Sequence, residues 1–422
     1  MSRRLPVIVM LLCLPVVFLF AKMPPPEQSA ECLRQVTIGA HAHFIHICDS
    51  YSITSEAQNL ERYATQSNPW SARPFYIVTA AALASALSPV ATLVRAVLER
   101  HIGGNFKEKD FLQRFQIYFA LATINVLFLA LALTIAWRLC GSQTQILSVA
   151  LAAAIATSDL VHGLFWSQHP SFFNILVAPA CIFYFVQGCR ARHLRQPEIA
   201  MFGLAAGAGI LVYAFAVIWL PAFVLGALFQ DWRAATRPSE AASGLLRLLP
   251  VFAMTGCGPV LFWLLANTFY FHVTTTYEAG ACGQFIWLAQ AWRDGAILSA
   301  MAQKWHEFFP QVFLWQSWPG LFALCSCAVL AIFGYRLATP VRYFRDPILA
   351  GVCVSCASIL LFNYFQGYFQ PRLVCGMTLA LFVAISRLSQ IAKLEILGAI
   401  LLILVSLVQI ALAFIYPAVT MT

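Results

Sequence analysis

Apolar runs close to the length of a bilayer-crossing helix, roughly 20 residues, recur from one end of this chain to the other. They fall near 5–21, 112–137, 146–165, 171–188, 199–213, 214–230, 248–270, 311–334, 347–366, 373–387 and 395–416. The pattern predicts an all-α polytopic membrane protein of about eleven transmembrane helices, with no separate soluble domain. The pair within 199–230 also reads as one tilted helix interrupted at Pro221. The segment Pro74–Arg100 is apolar but broken by Pro89. It reads as an interfacial stretch, or as a dip into the membrane and back.

Two stretches interrupt this pattern at length. A first loop, 23–111, separates the first span from the core spans 112–270, and a second, 271–310, precedes the C-terminal spans 311–422. Within the first loop, His41–Pro74 is the longest polar run in a chain that is 61% hydrophobic. After Asp49, residues Ala57, Leu60 and Tyr63 follow at helical spacing, which predicts an amphipathic helix on a membrane surface.

Charge gives the pattern a direction. Only 10% of residues are charged and the formal net charge is +9. The basic residues gather in four short loops: Cys189–Arg195, Asp231–Pro238 with Arg247, Tyr335–Arg345 and Arg387–Lys393. Basic loops stay in the cytoplasm, so the excess reports orientation and not a nucleic-acid surface. Met23–Arg73 carries three basic and five acidic residues, and His272–Pro310 two and three; both suit the outer side. These assignments agree when Pro74–Arg100 makes no net crossing. The N-terminal run, two arginines and then an apolar core without a small-x-small cleavage pattern, predicts an uncleaved first span with a cytoplasmic N-terminus.

Of thirteen cysteines, ten lie in apolar segments, where cysteine acts as a small hydrophobe. Cys32, Cys48 and Cys282 fall in the long polar loops. In an oxidising compartment Cys32 and Cys48 are the natural disulfide pair, leaving Cys282 over. His41, His43, His46 and Asp49 do not gather on one face of either a strand or a helix. No zinc spacing follows them, so they read as polar loop residues and no metal ligands are assigned. No nucleotide-binding, Ser-His-Asp or zinc-finger pattern is present.

The run from Asp49 (D-S-Y-x-I-x-S-E-A) to NPWSARPFY is more specific. An acid soon after the first span, a short helix, and an Arg-Pro opening an apolar segment resemble the first-loop signature of GT-C glycosyltransferases. These are the polyprenyl-phosphate-sugar enzymes that include protein O-mannosyltransferases and lipid A aminoarabinose transferases. AWRLCG (136–141), the stretch ALAAAIATSDLVHGLFWSQHPSFF, GLAAGAGILVYAF and QPRLVCGMTLALF (370–382) extend the resemblance over most of the chain.

The resemblance implies a GT-C-like helical bundle in the cell inner membrane. It would move a sugar from a polyprenyl phosphate donor to a lipid, glycan or protein acceptor at the periplasmic face. Asp49 would be the general base, against a bland reading as a helix cap. Arg73 and Arg372 would hold the donor phosphate, against snorkelling at the interface. Tyr51, Glu56, His169, Tyr277 and Glu278 are candidate substrate contacts. Two departures stand out: Ser50 replaces a second acid, and His169 in SQHPS stands where an Asp is usual. A divalent metal held by two acids therefore has weak support. The aromatic residues Trp287, Trp292 and Trp305 of the second loop read first as an interfacial belt. The rival from another class is a transporter or lipid flippase, but charges along a mid-span path are what it would need, and the spans are nearly charge-free.

Overall fold

The computed structural model describes residues 5–21, 33–38, 42–66, 71–102, 106–141, 145–167, 169–234, 238–273, 284–314, 318–337, 340–367 and 371–415. The architecture is overwhelmingly helical, as a chain must be when lipid offers its backbone no hydrogen bonds. In chain order the helices are α1 Leu5–Leu11, α2 Cys48–Gln58, α3 Leu60–Thr65, α4 Pro74–Ala86, α5 Ser88–Leu98, α6 Phe106–Gln113, α7 Phe115–Cys140, α8 Gln145–Ala156, α9 Asp159–Leu164 and α10 Asn174–Gly188. There follow α11 Gln196–Val212, α12 Trp219–Arg233, α13 Pro238–Leu265, α14 Ile286–Arg293, α15 Ile297–Leu314, α16 Trp318–Leu337, α17 Pro340–Phe344, α18 Pro347–Gln366, α19 Pro371–Ile391 and α20 Glu395–Ile415.

Each of the expected apolar runs holds a helix, but length divides them. Among the described residues, six helices are long and apolar enough to cross a membrane: Phe115–Cys140, Pro170–Gly188, Ala214–Arg233, Leu249–Phe271, Pro347–Gln366 and Glu395–Ile415. Val7–Phe20, Gln145–Ala156, Gln196–Val212, Trp318–Gly334 and Cys375–Ile391 are apolar but shorter. Helix length alone therefore supports fewer crossings than the eleven expected. The expected run 146–165 shows why. Ser158 is extended (ψ 157°) and ends the helix before Asp159 starts another. The Thr157 hydroxyl is shared between the Ala153 carbonyl and Gln409 Oε1, at 2.9 and 3.0 Å.

Pro74–Arg100 forms two apolar helices, α4 and α5, bent by 79° at Leu87. That shape is a broken span or a re-entrant dip. One departure from helix lies in the first loop, where β1 (Leu33–Ile38) and β2 (Ala42–Ile47) pair antiparallel, Val36 opposite Phe44. RQVTI and HFIHI are rich in β-branched and aromatic residues, which suit a pleated surface. The stretch read as a polar loop thus begins as a strand.

Outward-facing apolar side chains confirm the medium. Leu261 and Phe262 of α13 are 56% and 74% exposed, a cost that water would impose and hydrocarbon does not.

The helices run alternately between two ends of one bundle. Tyr118 at the start of α7 donates to the Trp166 carbonyl, and Cys140 at its close meets Ser386 of α19. Tyr184 of α10 donates to the Phe202 carbonyl of α11, while Ser171 before α10 meets Tyr213 after α11. Small residues allow these close approaches. A Cβ added at Gly207 of α11 would lie 2.5 Å from the Gly256 carbonyl oxygen of α13. Between α10 and α12 the fit is reciprocal: Gly188 abuts the Phe223 carbonyl and Gly226 the Phe185 carbonyl. One end of the bundle then gathers residues 71–76, 165–167, 169–173, 213–219 and the start of α19. The other gathers the described residues of the four basic loops.

Candidate functional site

The first loop is fastened to the bundle by its own backbone. The Ser71 carbonyl accepts from Trp263 Nε1 at 2.8 Å and from Asn267 Nδ2 at 3.4 Å. Pro74 then opens α4, since a proline at the first helical position loses no hydrogen bond. Arg73 is thereby held at the N-terminus of α4, the positive end of the helix dipole. A cation is unfavourable there unless something compensates.

The compensation comes from across the bundle. The Arg73 guanidinium carbon lies 5.0 Å from the centre of the Tyr213 ring, a cation–π contact worth more in a desolvated setting. Arg73 is buried, at 8% exposure. The Tyr213 hydroxyl is 3.2 Å from Ser171 Oγ. The Ser171 backbone N–H donates to His169 Nδ1 at 3.0 Å, so the second outer segment joins the same cluster, with His169 itself buried.

On the loop side, α2 and α3 pack on α4 and α7 through Ile53, Tyr63, Ile77 and Leu121. Asn59 caps α3 by accepting from the Arg62 backbone N–H at 2.9 Å. Glu56 is buried beside this core. Its Oε1 lies 3.6 Å from Arg62, and its Oε2 is buried without a hydrogen-bond partner among the described residues. Burial raises the Glu56 carboxyl above its ordinary value, against the opposing pull of Arg62. Tyr63 lies within electrostatic reach of both Glu56 and Arg73; burial first, and then Glu56, push its hydroxyl up.

Three of the residues singled out from sequence, Glu56, Arg73 and His169, therefore belong to one connected region. Asp49 stands in the first turn of α2 rather than ahead of it. This moves the capping reading to a first-turn one, where a carboxylate still favours the helix dipole. Glu56 follows Asp49 by seven positions, about two turns along α2. The side chains of Asp49 and Tyr51 lie outside the described residues. Arg372 follows Pro371 in the first turn of α19, at the same end of the bundle, and its side chain too lies outside them. One turn later, Cys375 is within electrostatic reach of Asp159. Cys32, Tyr277 and Glu278 lie outside the described residues, as does the Cys48 side chain. Among the described residues no group of three or more His, Cys, Asp or Glu is placed to hold a metal ion.

Sequence reading passed over Tyr213 and Ser171. The usable signal was the tyrosine closing the small-residue run GLAAGAGILVY, a hydroxyl at the end of an otherwise apolar helix. Trp287 of the second loop donates to the Phe365 carbonyl at 3.0 Å, and Trp305 packs on Tyr364. Both anchor α14 and α15 to the end of α18. Comparison with protein-family models, with curated proteins and with solved structures finds no match.

Proposed function

We propose that this protein is a membrane glycosyltransferase that moves a sugar from a polyprenyl phosphate donor to an acceptor. One observation carries the reading: two arginines on Arg-Pro and Pro-Arg helix starts, Arg73 and Arg372, come to one end of the bundle beside an acid-bearing helix. Helix N-termini and guanidinium groups both favour phosphate. The acids of α2 favour the acceptor's proton.

In this reading the acceptor O–H gives its proton to the Asp49 carboxylate as its oxygen attacks the anomeric carbon. The bond from that carbon to the phosphate oxygen breaks, and polyprenyl phosphate leaves with the electron pair. The charge that develops on the leaving phosphate is held by Arg73 and Arg372. The Tyr213 ring keeps Arg73 in place before donor arrives, which limits the ordering cost. His169 and Glu56 are candidate sugar contacts, and the acceptor is a lipid, glycan or protein.

The test is direct. Membranes containing the protein are given radiolabelled polyprenyl-phosphate sugar, and release of free polyprenyl phosphate is measured. Release that depends on Arg73 and Asp49 supports the reading. Membranes that release none across lipid, glycan and protein acceptors overturn it.

A further inference from the structure

At the end of the bundle opposite Arg73, three stretches of chain converge on one concave space of about 650 Å³. The close of α12 supplies Arg233, the α17 region Arg342 and Arg345, the start of α18 Asp346, and the close of α19 Arg387 with Lys393 just beyond. Five cations thus face one carboxylate. That carboxylate is already engaged. Asp346 Oδ2 accepts from Arg387 Nη2 and Nε at 2.6 and 2.9 Å, and its Oδ1 accepts from the Ile348 and Leu349 backbone N–H groups. Among the described residues Arg233, Arg342, Arg345 and Lys393 have no acidic partner.

We propose that this cavity is a binding site for an oxyanion of the phosphate class carrying a further polar group. A topological excess of basic residues needs only short loops with lysine and arginine anywhere along them. It does not require residues far apart in sequence to point into one cavity, where like charges repel without an anion between them. Arg387, fixed by Asp346, forms a rigid floor. The guanidinium forks of Arg233, Arg342 and Arg345 match phosphate oxygens, and Lys393 adds a point charge. The space is larger than one phosphate group, so the phosphate arrives attached to something. Its source is the headgroup of an anionic phospholipid or a soluble diphosphate. The site is distinct from the Arg73 cluster: the 18 residues from Arg372 to Gln390 along α19 separate the two ends by roughly 27 Å.

The test compares the full-length wild type with Arg345→Gln/Lys393→Gln, two exposed positions that carry no structural ion pair. Arg195→Gln serves as control: it is basic and 83% exposed at the same end but outside the cavity. Native mass spectrometry counts phosphatidylglycerol retained from nanodiscs of phosphatidylglycerol and phosphatidylcholine. In parallel, the melting temperature in detergent is followed against inorganic pyrophosphate. Wild type and control should bind one of the two probes, and the double variant should bind it roughly tenfold more weakly. Retained lipid without a pyrophosphate shift identifies a headgroup; a pyrophosphate shift without retained lipid identifies a soluble anion. Binding of neither by wild type, or equal loss in control and double variant, overturns the proposal.

Discussion

Arg73 stands over the ring of Tyr213, its guanidinium carbon 5.0 Å from the ring centre, although 140 positions separate them in the chain. The contact ties the first loop to the end of α11. Tyr213→Phe keeps the ring and removes only the hydroxyl facing Ser171, so stability should fall by about 1 kcal/mol. Tyr213→Leu also removes the π face and should cost up to about 2 kcal/mol more. Thermal melting in detergent separates the two, and equal losses would show that the ring contact contributes nothing.

Asp49→Asn keeps the shape of the side chain and removes its proton acceptor. If Asp49 is the base, transfer should slow by roughly 10²- to 10⁴-fold at unchanged expression. The measurement is initial rate per mole of purified protein. Normal turnover in Asp49→Asn together with a dead Asp159→Asn would move the base to the second outer region.

Glu56 gives a pH signature. Its folded value is raised, so between 4.5 and that raised value the native state binds more protons than the unfolded chain. Stability must then decline as pH rises through this window. Glu56→Gln removes the titration, and its melting temperature should gain on wild type as pH rises, with no change in the gap below the window. A gap that stays constant from acid to neutral pH contradicts the assignment.

Glycine positions should divide by what they face. A side chain at Gly188 collides with the Phe223 carbonyl, whereas a Cβ at Gly258 meets nothing within 4 Å. Gly188→Val should lower stability by about 1–3 kcal/mol or more. Gly258→Ala should be neutral or add up to about 1 kcal/mol through helix propensity. Melting curves of the two variants in one detergent decide this.

Orientation is testable by reporter fusion. A fusion near Asn105 should report the same side as the Arg73 cluster, and a fusion near His193 the opposite side. The same compartment for both would break the alternation of the basic loops.

Much of the helical layout was legible in sequence, because apolar run length needs no tertiary information. Where runs break was less so. Ser158 depends on a local backbone choice that hydropathy averages away, whereas the bend at Leu87 was foreshadowed by Pro89 in the first turn of α5. Arg73, His169 and Glu56 were singled out through the motifs that carry the resemblance, which lie where polar residues meet apolar runs. Tyr213 was not, since an aromatic residue closing an apolar helix reads as lipid-facing until Ser171 is placed beside it. Arg387 was absorbed into a basic loop and Asp346 fell just beyond the end of another, and their pairing needs α18 and α19 to lie together. The β-branched residues of β1 were visible, and their partner strand begins only four positions after β1 ends, so the pairing is local.

The reciprocal contact of Gly188 and Gly226 limits how this chain can change. Each glycine presses on a carbonyl of the other helix, and a carbonyl cannot be trimmed as a side chain can. An enlarged residue at either position therefore has no second-site suppressor on the facing helix. Relief would have to come from spreading α10 and α12 apart, which forfeits the whole seam, so the two positions should drift together as small residues or not at all.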